Sequence, residues 1–164
     1  MKLSYLEKNL SPPTRTERLG AACVQLGAEV RRWPWPLRWY GNWKVRTVTW
    51  FWGSIWMADK VFYSWDLAEI VLAHELQHVR QYKACGKFRW MWRYLTNRKH
   101  RLAYEVAAEG HEAAYRSRLH GQSPWVHADA LKHGKAPYCI TGVSPELVEA
   151  RILDVAEALL DDNE

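Results

Sequence analysis

The chain lacks any window of 18 uncharged apolar residues, which excludes a spanning helix as far as hydropathy can. It has only three cysteines, Cys23, Cys85 and Cys139, more than 50 residues apart and without C-x-x-C spacing. That excludes a disulfide scaffold and points to a reducing compartment. The apolar run of a signal peptide is missing as well: Met1 to Leu10 alternates polar and apolar positions and carries Glu7 and Lys8. A cytoplasmic location is therefore expected, with non-classical export left open. No internal repeat and no low-complexity linker divides the sequence, and 164 residues fit one domain, residues 1–164, rather than two catalytic units. Acid is absent from one long stretch. Between Val79 and Tyr104 stand Arg80, Lys83, Lys87, Arg89, Arg93, Arg98, Lys99 and Arg101, with no Asp or Glu among them.

What is present is a globular composition with an aromatic excess. Hydrophobic residues make up 48% and charged residues 25%, enough to bury a core, and 11 Trp stand beside 8 Tyr and 3 Phe. Residues 1–143 hold 22 Lys or Arg against 11 Asp or Glu, whereas residues 144–164 hold one Arg against seven acids. An acidic appendix thus follows a basic body. The basic strip suits phosphates, anionic lipid or an acidic peptide, and weak polyanion binding through residues 80–101 is expected of it; a solvated helical face is the alternative. The tryptophans from Trp33 to Trp56 read as core packing first, and as an interfacial belt or a substrate platform second.

Periodicity divides the chain into a helix, a small sheet and further helices. Leu19, Ala22, Cys23, Leu26 and Val30 recur at helical spacing, which predicts a helix over 15–32, stopped by Trp33-Pro34-Trp35-Pro36. Residues 43–63 are rich in Val, Thr, Trp, Phe and Tyr, broken at Gly53-Ser54 and Ala58-Asp59-Lys60, and predict a small antiparallel sheet. Ser64 or Asp66, the latter with Glu69 in capping-box spacing, opens a helix that ends before Gly86. Helical segments over 87–95 and 100–119 follow, so that residues 66–119 form the predicted metal-binding helices. Residues 122–143 look irregular. An acidic helix over 145–161 starts at the cap Ser144 with Pro145 in its first position. The fold class expected is α+β, mostly helical, with the sheet beside the helix that carries His74.

His74-Glu75-Leu76-Gln77-His78 is an H-E-x-x-H sequence. At about 100° per residue, four positions bring the second imidazole to about 40° from the first, so both reach one metal ion from one face. Glu75 lies about 100° round the helix, beside the metal, where a carboxylate can deprotonate water. Chance supplies about 0.02 matches in this composition. Two ordinary histidines on a helix are the alternative. A catalytic zinc needs a third protein ligand. A glycine three residues and a histidine six residues after His78 would give one arrangement, but Gln81 and Ala84 stand there. Glu105-Val106-Ala107-Ala108-Glu109 offers a glutamate instead, 27 residues after His78. Glu105, Glu109 and Glu112 share one helical stripe that a cation would relieve, or that Arg101 and Arg116 pair in solvent. The spacing alone leaves Glu105 and Glu109 both open as the third ligand.

H-E-x-x-H followed by E-x-x-A-(D/E) resembles the gluzincin metallopeptidases, and the stretch Ala73-His74-Glu75-Leu76-Gln77-His78-Val79-Arg80-Gln81-Tyr82, with Gly86 and Arg93-Tyr94-Leu95, is similar to small bacterial zincin-like proteins. The resemblance covers residues 45–118, including a strand of the Ile55-Trp56-Met57 type. It implies a zincin-like fold with an edge strand over the cleft, Zn²⁺ held by His74, His78 and Glu105, Glu75 as general base, and Glu109 in the outer position where the family usually has Asp. Tyr104, His111 and Tyr115 are candidate donors to a transition state. The activity implied is zinc-dependent hydrolysis of a protein or peptide substrate. Two other readings stand beside it: a nucleic-acid-associated module with structural zinc, or a hybrid that cleaves proteins on DNA; and an assembly protein that keeps the fold without turnover.

Overall fold

In a computed structural model the chain is described over residues 27–34, 48–49, 54–59, 65–121 and 143–161, with single helical positions at Ala21 and Gln25. In order come β1 (Glu29–Arg32), β2 (Val48–Thr49), β3 (Ser54–Met57), α1 (Trp65–Cys85), α2 (Lys87–Thr96), α3 (Arg98–His120) and α4 (Pro145–Asp161). The boundaries fall where punctuating residues stand. Gly86, at φ 87°, turns the chain between α1 and α2, a backbone conformation that a side chain would strain. Asn97 starts α3 by accepting from the Lys99 and His100 amides at 3.0 and 3.2 Å. Ser144 accepts from the Leu147 amide at 3.3 Å and starts α4.

The four long helices and the small sheet agree with a mostly helical α+β chain, but two expectations need correction. The predicted helix over 15–32 does not reach its end: Glu29–Arg32 is β1, after Gly27 takes φ 64°. Val30 fits a helical stripe in sequence, yet pairing with a strand 25 residues away wins over local periodicity. The sheet is also not simply antiparallel. Its order is β1-β3-β2, with β1 parallel to β3 over four residue pairs and only β2 antiparallel to it. Ile55-Trp56-Met57 is therefore the central strand, and β2 is the edge that faces α1. The remainder of residues 43–63 and the irregular stretch 122–142 lie outside the described residues.

Two apolar clusters flank the α1–α3 contact. Ile55, Met57, Leu72, Leu76, Val79, Tyr82 and Trp90 join the sheet, α1 and α2. Leu102, Val106, Ala113, Ala114, Val148, Ile152 and Ala156 join α3 to α4. The acidic last helix is thus an apolar buttress behind α3. No helix among the described residues is long and apolar enough to cross a membrane.

The α3–α4 contact depends on a missing side chain. A Cβ at Gly110 would overlap Val155 Cγ1, lie 2.6 Å from Val155 Cβ and 3.3 Å from the Ile152 carbonyl. In Gly110→Ala, overpacking of about 3 kcal/mol outweighs the roughly 1 kcal/mol gained in helix propensity. The expected outcome is a net loss of about 2 kcal/mol in chemical denaturation. Unchanged stability would show that the two helices do not cross here.

Candidate metal centre

The helical repeat of α1 and one residue of α3 bring three donors together. His74 and His78 face each other with Nε2 atoms 3.2 Å apart. Glu105 is 1% exposed and reaches across from α3: its Oε2 lies 3.8 Å from His74 Nε2 and its Oε1 3.7 Å from His78 Nε2. Donors on a tetrahedral zinc at ordinary bond lengths lie about 3.4 Å apart. The two imidazole nitrogens lie near that value and the two oxygens of Glu105 just beyond it, one toward each ring, so the donor types suit the ion and small side-chain shifts would bring one oxygen to it. Glu109 does not join both histidines; it groups only with His74 and Glu112. Between the two glutamates that the spacing leaves open, Glu105 is the one that faces both imidazoles.

The groups on the far side of each ring, a hydrogen bond for His78 and a nearby carboxylate for His74, bear on what the facing nitrogens carry. The Gln81 amide nitrogen donates to the Tyr104 carbonyl at 2.9 Å, so its Oε1 is the atom turned to His78 Nδ1, 3.0 Å away. An oxygen there requires the proton on Nδ1 and leaves a lone pair on His78 Nε2. His74 Nδ1 lies 3.2 Å from Glu112 Oε2, although off the line of a straight hydrogen bond, and a carboxylate likewise draws the proton to Nδ1. Two Nε2 lone pairs and a carboxylate then converge on one buried point. Such an arrangement repels itself unless a cation stands in it.

In the absence of a metal, a proton takes that role. Burial alone would lower the pKa of His74, but the carboxylates of Glu112, Glu75, Glu109 and Glu105 outweigh it and push it up to about 10. The electrostatics of the cavity are those of a cation site.

Glu75 is buried and stands outside the ligand group. Thr49, on the edge strand β2, donates its hydroxyl to Glu75 Oε2 at 2.5 Å and also lies 3.3 Å from the Glu75 carbonyl. The strand therefore holds one oxygen of this carboxylate beside the candidate ligand group. Tyr94 of α2 donates to Glu105 Oε1 at 2.5 Å, and the Trp90 ring lies 5.8 Å from that of His78. Trp90 stacks on Tyr94 at 5.0 Å, closing one wall of the site with apolar surface.

The three candidate transition-state donors sit elsewhere. The Tyr104 hydroxyl lies 3.8 Å from Cys85 Sγ, and its ring stacks between Trp90 and His100. Burial raises its pKa. Tyr115 donates to the buried Glu69 at 3.1 Å, which gives Glu69 a partner beyond any capping role. His111 faces Arg80 and Arg118; burial first, then those two charges, bring it down to about 4, so it is neutral at pH 7. Tyr104 is tied to the centre through its backbone carbonyl, which accepts from Gln81, rather than through its hydroxyl. Glu112, apart from its contact with His74, accepts from Arg116 at 2.5 Å, so the stripe reading and the metal reading each describe one of its oxygens.

The supporting residues are the ones sequence reasoning passed over. Gln81 stands three residues after His78, on its face of the helix, and that spacing was a usable signal. Thr49 and Tyr94 act across 26 and 11 residues and carry none.

Two outcomes follow from this geometry. Gln81→Ala and Glu112→Ala should each weaken zinc affinity by about 10- to 100-fold, since each removes the group that holds an imidazole tautomer; competition with a chelating dye measures it, and wild-type affinity in both variants would refute the tautomer assignment. For the metal-free chain, the His74 pKa of about 10 lies above its ordinary 6.5. The stability it contributes is complete below pH 6.5 and is lost as pH rises through about 10. Melting temperature of chelator-treated protein should therefore fall across that window, and zinc should remove the fall. No family model, no curated protein and no solved structure matches the chain, so the reading of this centre rests on its own geometry.

Proposed function

We propose that the chain is a zinc metallopeptidase of zincin-like, gluzincin-type architecture, with His74, His78 and Glu105 as ligands and Glu75 as general base. The observation that carries this reading is the convergence of two Nε2 lone pairs and a buried carboxylate, with a second carboxylate fixed beside them but outside the ligand set. Two imidazoles and one carboxylate favour zinc over harder ions. Three protein donors also leave a fourth position for water or substrate, as a catalytic rather than a structural site requires.

A bound zinc ion would supply Lewis acidity, polarising a carbonyl and bringing the pKa of water to about 7. The rest is the work of side chains. Glu75, held by Thr49 on one oxygen, takes the proton of the attacking water on the other and passes it to the leaving amine. Gln81 and Glu112 keep both imidazoles in the ligating tautomer, and Tyr94 holds Glu105 in place. The substrate class is protein or peptide. Among the described residues β2 is one of the two sheet edges and the one hydrogen-bonded to Glu75, so an extended backbone laid along it would run past that carboxylate.

The test separates binding from chemistry. His74→Ala and His78→Ala should abolish zinc binding, while Glu75→Gln should retain one zinc per chain by elemental analysis. Against a peptide library, Glu75→Gln should lose about 10²- to 10⁴-fold in rate, the usual worth of general acid–base catalysis. Near wild-type cleavage by Glu75→Gln would sink the mechanism. A wild-type chain that holds zinc tightly and cuts nothing would instead favour the binding or assembly reading.

A further inference from the structure

The outer face of α2 is apolar, and the site does not use it. Phe88, Trp92 and Leu95 are 78%, 69% and 63% exposed. They stand at i, i+4 and i+7, within about 80° of one another round the helix. The opposite face is committed: Trp90 is buried, and Met91 and Tyr94 pack on the cluster formed by α1 and the sheet. The helix is thus seated, and the stripe faces outward.

Its surroundings are cationic. Lys87 and Arg89 flank the stripe on either side, and Lys83, Arg98 and Lys99 continue the exposed positive surface beyond both ends of the helix. No acidic residue lies between Val79 and Tyr104. The three apolar side chains present about 400 Å², half of the roughly 800 Å² per partner that a stable protein interface needs. A lipid surface imposes no such minimum, because each inserted side chain contributes separately and each nearby Lys or Arg adds its own attraction to an anionic leaflet.

We propose that α2 is an interfacial anchor, inserting Phe88, Trp92 and Leu95 among the acyl chains of an anionic membrane while Lys87, Arg89 and Lys99 meet its phosphate headgroups. A duplex nucleic acid would use the cations and leave the apolar stripe in water. The membrane uses both. The helix lies on the bilayer and does not cross it: at ten residues it is about 15 Å long, half the hydrocarbon thickness.

Flotation of the full-length chain with vesicles tests this. With vesicles of phosphatidylcholine and phosphatidylserine the wild type should float, and with pure phosphatidylcholine it should float at least about tenfold less. Phe88→Ser/Trp92→Ser/Leu95→Ser, whose side chains are outside the core, should keep the wild-type circular dichroism and melting temperature yet lose at least about tenfold in partitioning. Lys87→Glu/Arg89→Glu/Lys99→Glu should lose the preference for phosphatidylserine. Glu75→Gln should float like the wild type, which keeps the anchor distinct from hydrolysis. Failure of the wild type to float with either vesicle, or unchanged flotation of the serine variant, would overturn the proposal. So would tight binding of mixed-sequence single-stranded RNA that Trp92→Ser abolishes while vesicle binding is absent; that result would assign the stripe to base stacking.

Discussion

Charge taken out of water between α1 and α3 is the constraint to which the rest of the architecture answers. Glu75, Glu105 and Glu109 are buried there, and Glu112 is close to it. Burying an isolated carboxylate is so costly that it protonates or finds a cation. Among the described residues the two imidazoles are the ionisable groups that stand between Glu105 and Glu112, with Gln81 hydrogen-bonded to one ring and the Glu112 carboxylate beside the other. The cluster is consequently stable only around a positive charge, whether a metal ion or the proton that raises His74 to about 10. A divalent ion satisfies all three donors at once, whereas a proton can sit on only one.

On the proposed reading an ion here would tolerate little displacement of its ligands, and several elements of the fold hold the three side chains and Glu75. α1 supplies both histidines and, one turn on, the glutamine that orients the second. α2 contributes Tyr94 to Glu105 and Trp90 to the wall beside His78. β2 brings Thr49 to Glu75. α4 packs Val148, Ile152 and Ala156 against the back of α3, the helix that carries Glu105. Gly110 matters to the site for the same reason: the closeness of α3 to α4 is fixed one turn and a half from Glu105.

Reading the residues in order revealed the long helices, and that His74 and His78 share a face, because both are periodic. The four-residue step from His74 to His78 is a property of any α-helix, and Ser144-Pro145 and Gly86 mark boundaries through their own backbone chemistry. β1 was hidden because Val30 satisfies a helical stripe as well as a strand, and only its parallel partner in Ile55 distinguishes the two. The outer contacts of the metal centre were hidden for a related reason. Thr49 is an ordinary threonine in a strand until the sheet is laid beside α1, and Tyr94 is one tyrosine in an aromatic segment until α2 folds back over α3. Tyr104 and Tyr115 looked better placed because they flank the glutamate stripe in sequence, but the helix turns their hydroxyls toward Cys85 and Glu69.

α2 joins these levels, since its two faces answer to different surroundings. Residues 90, 91 and 94 on its inner face contact α1 and α3, and one of them holds the ligand Glu105; residues 88, 92 and 95 on its outer face are bare apolar surface. A helix of ten residues bounded by Gly86 and Asn97 has little freedom to meet one neighbour without moving against the other. Whatever seats the outer face therefore bears on Tyr94 and Trp90 through a rigid element under three turns long. If that seat is a membrane, the metal centre lies one helix diameter from the bilayer, about 10 Å. On the proposed peptidase reading, peptide segments near the membrane surface would then be the ones brought within reach of Glu75.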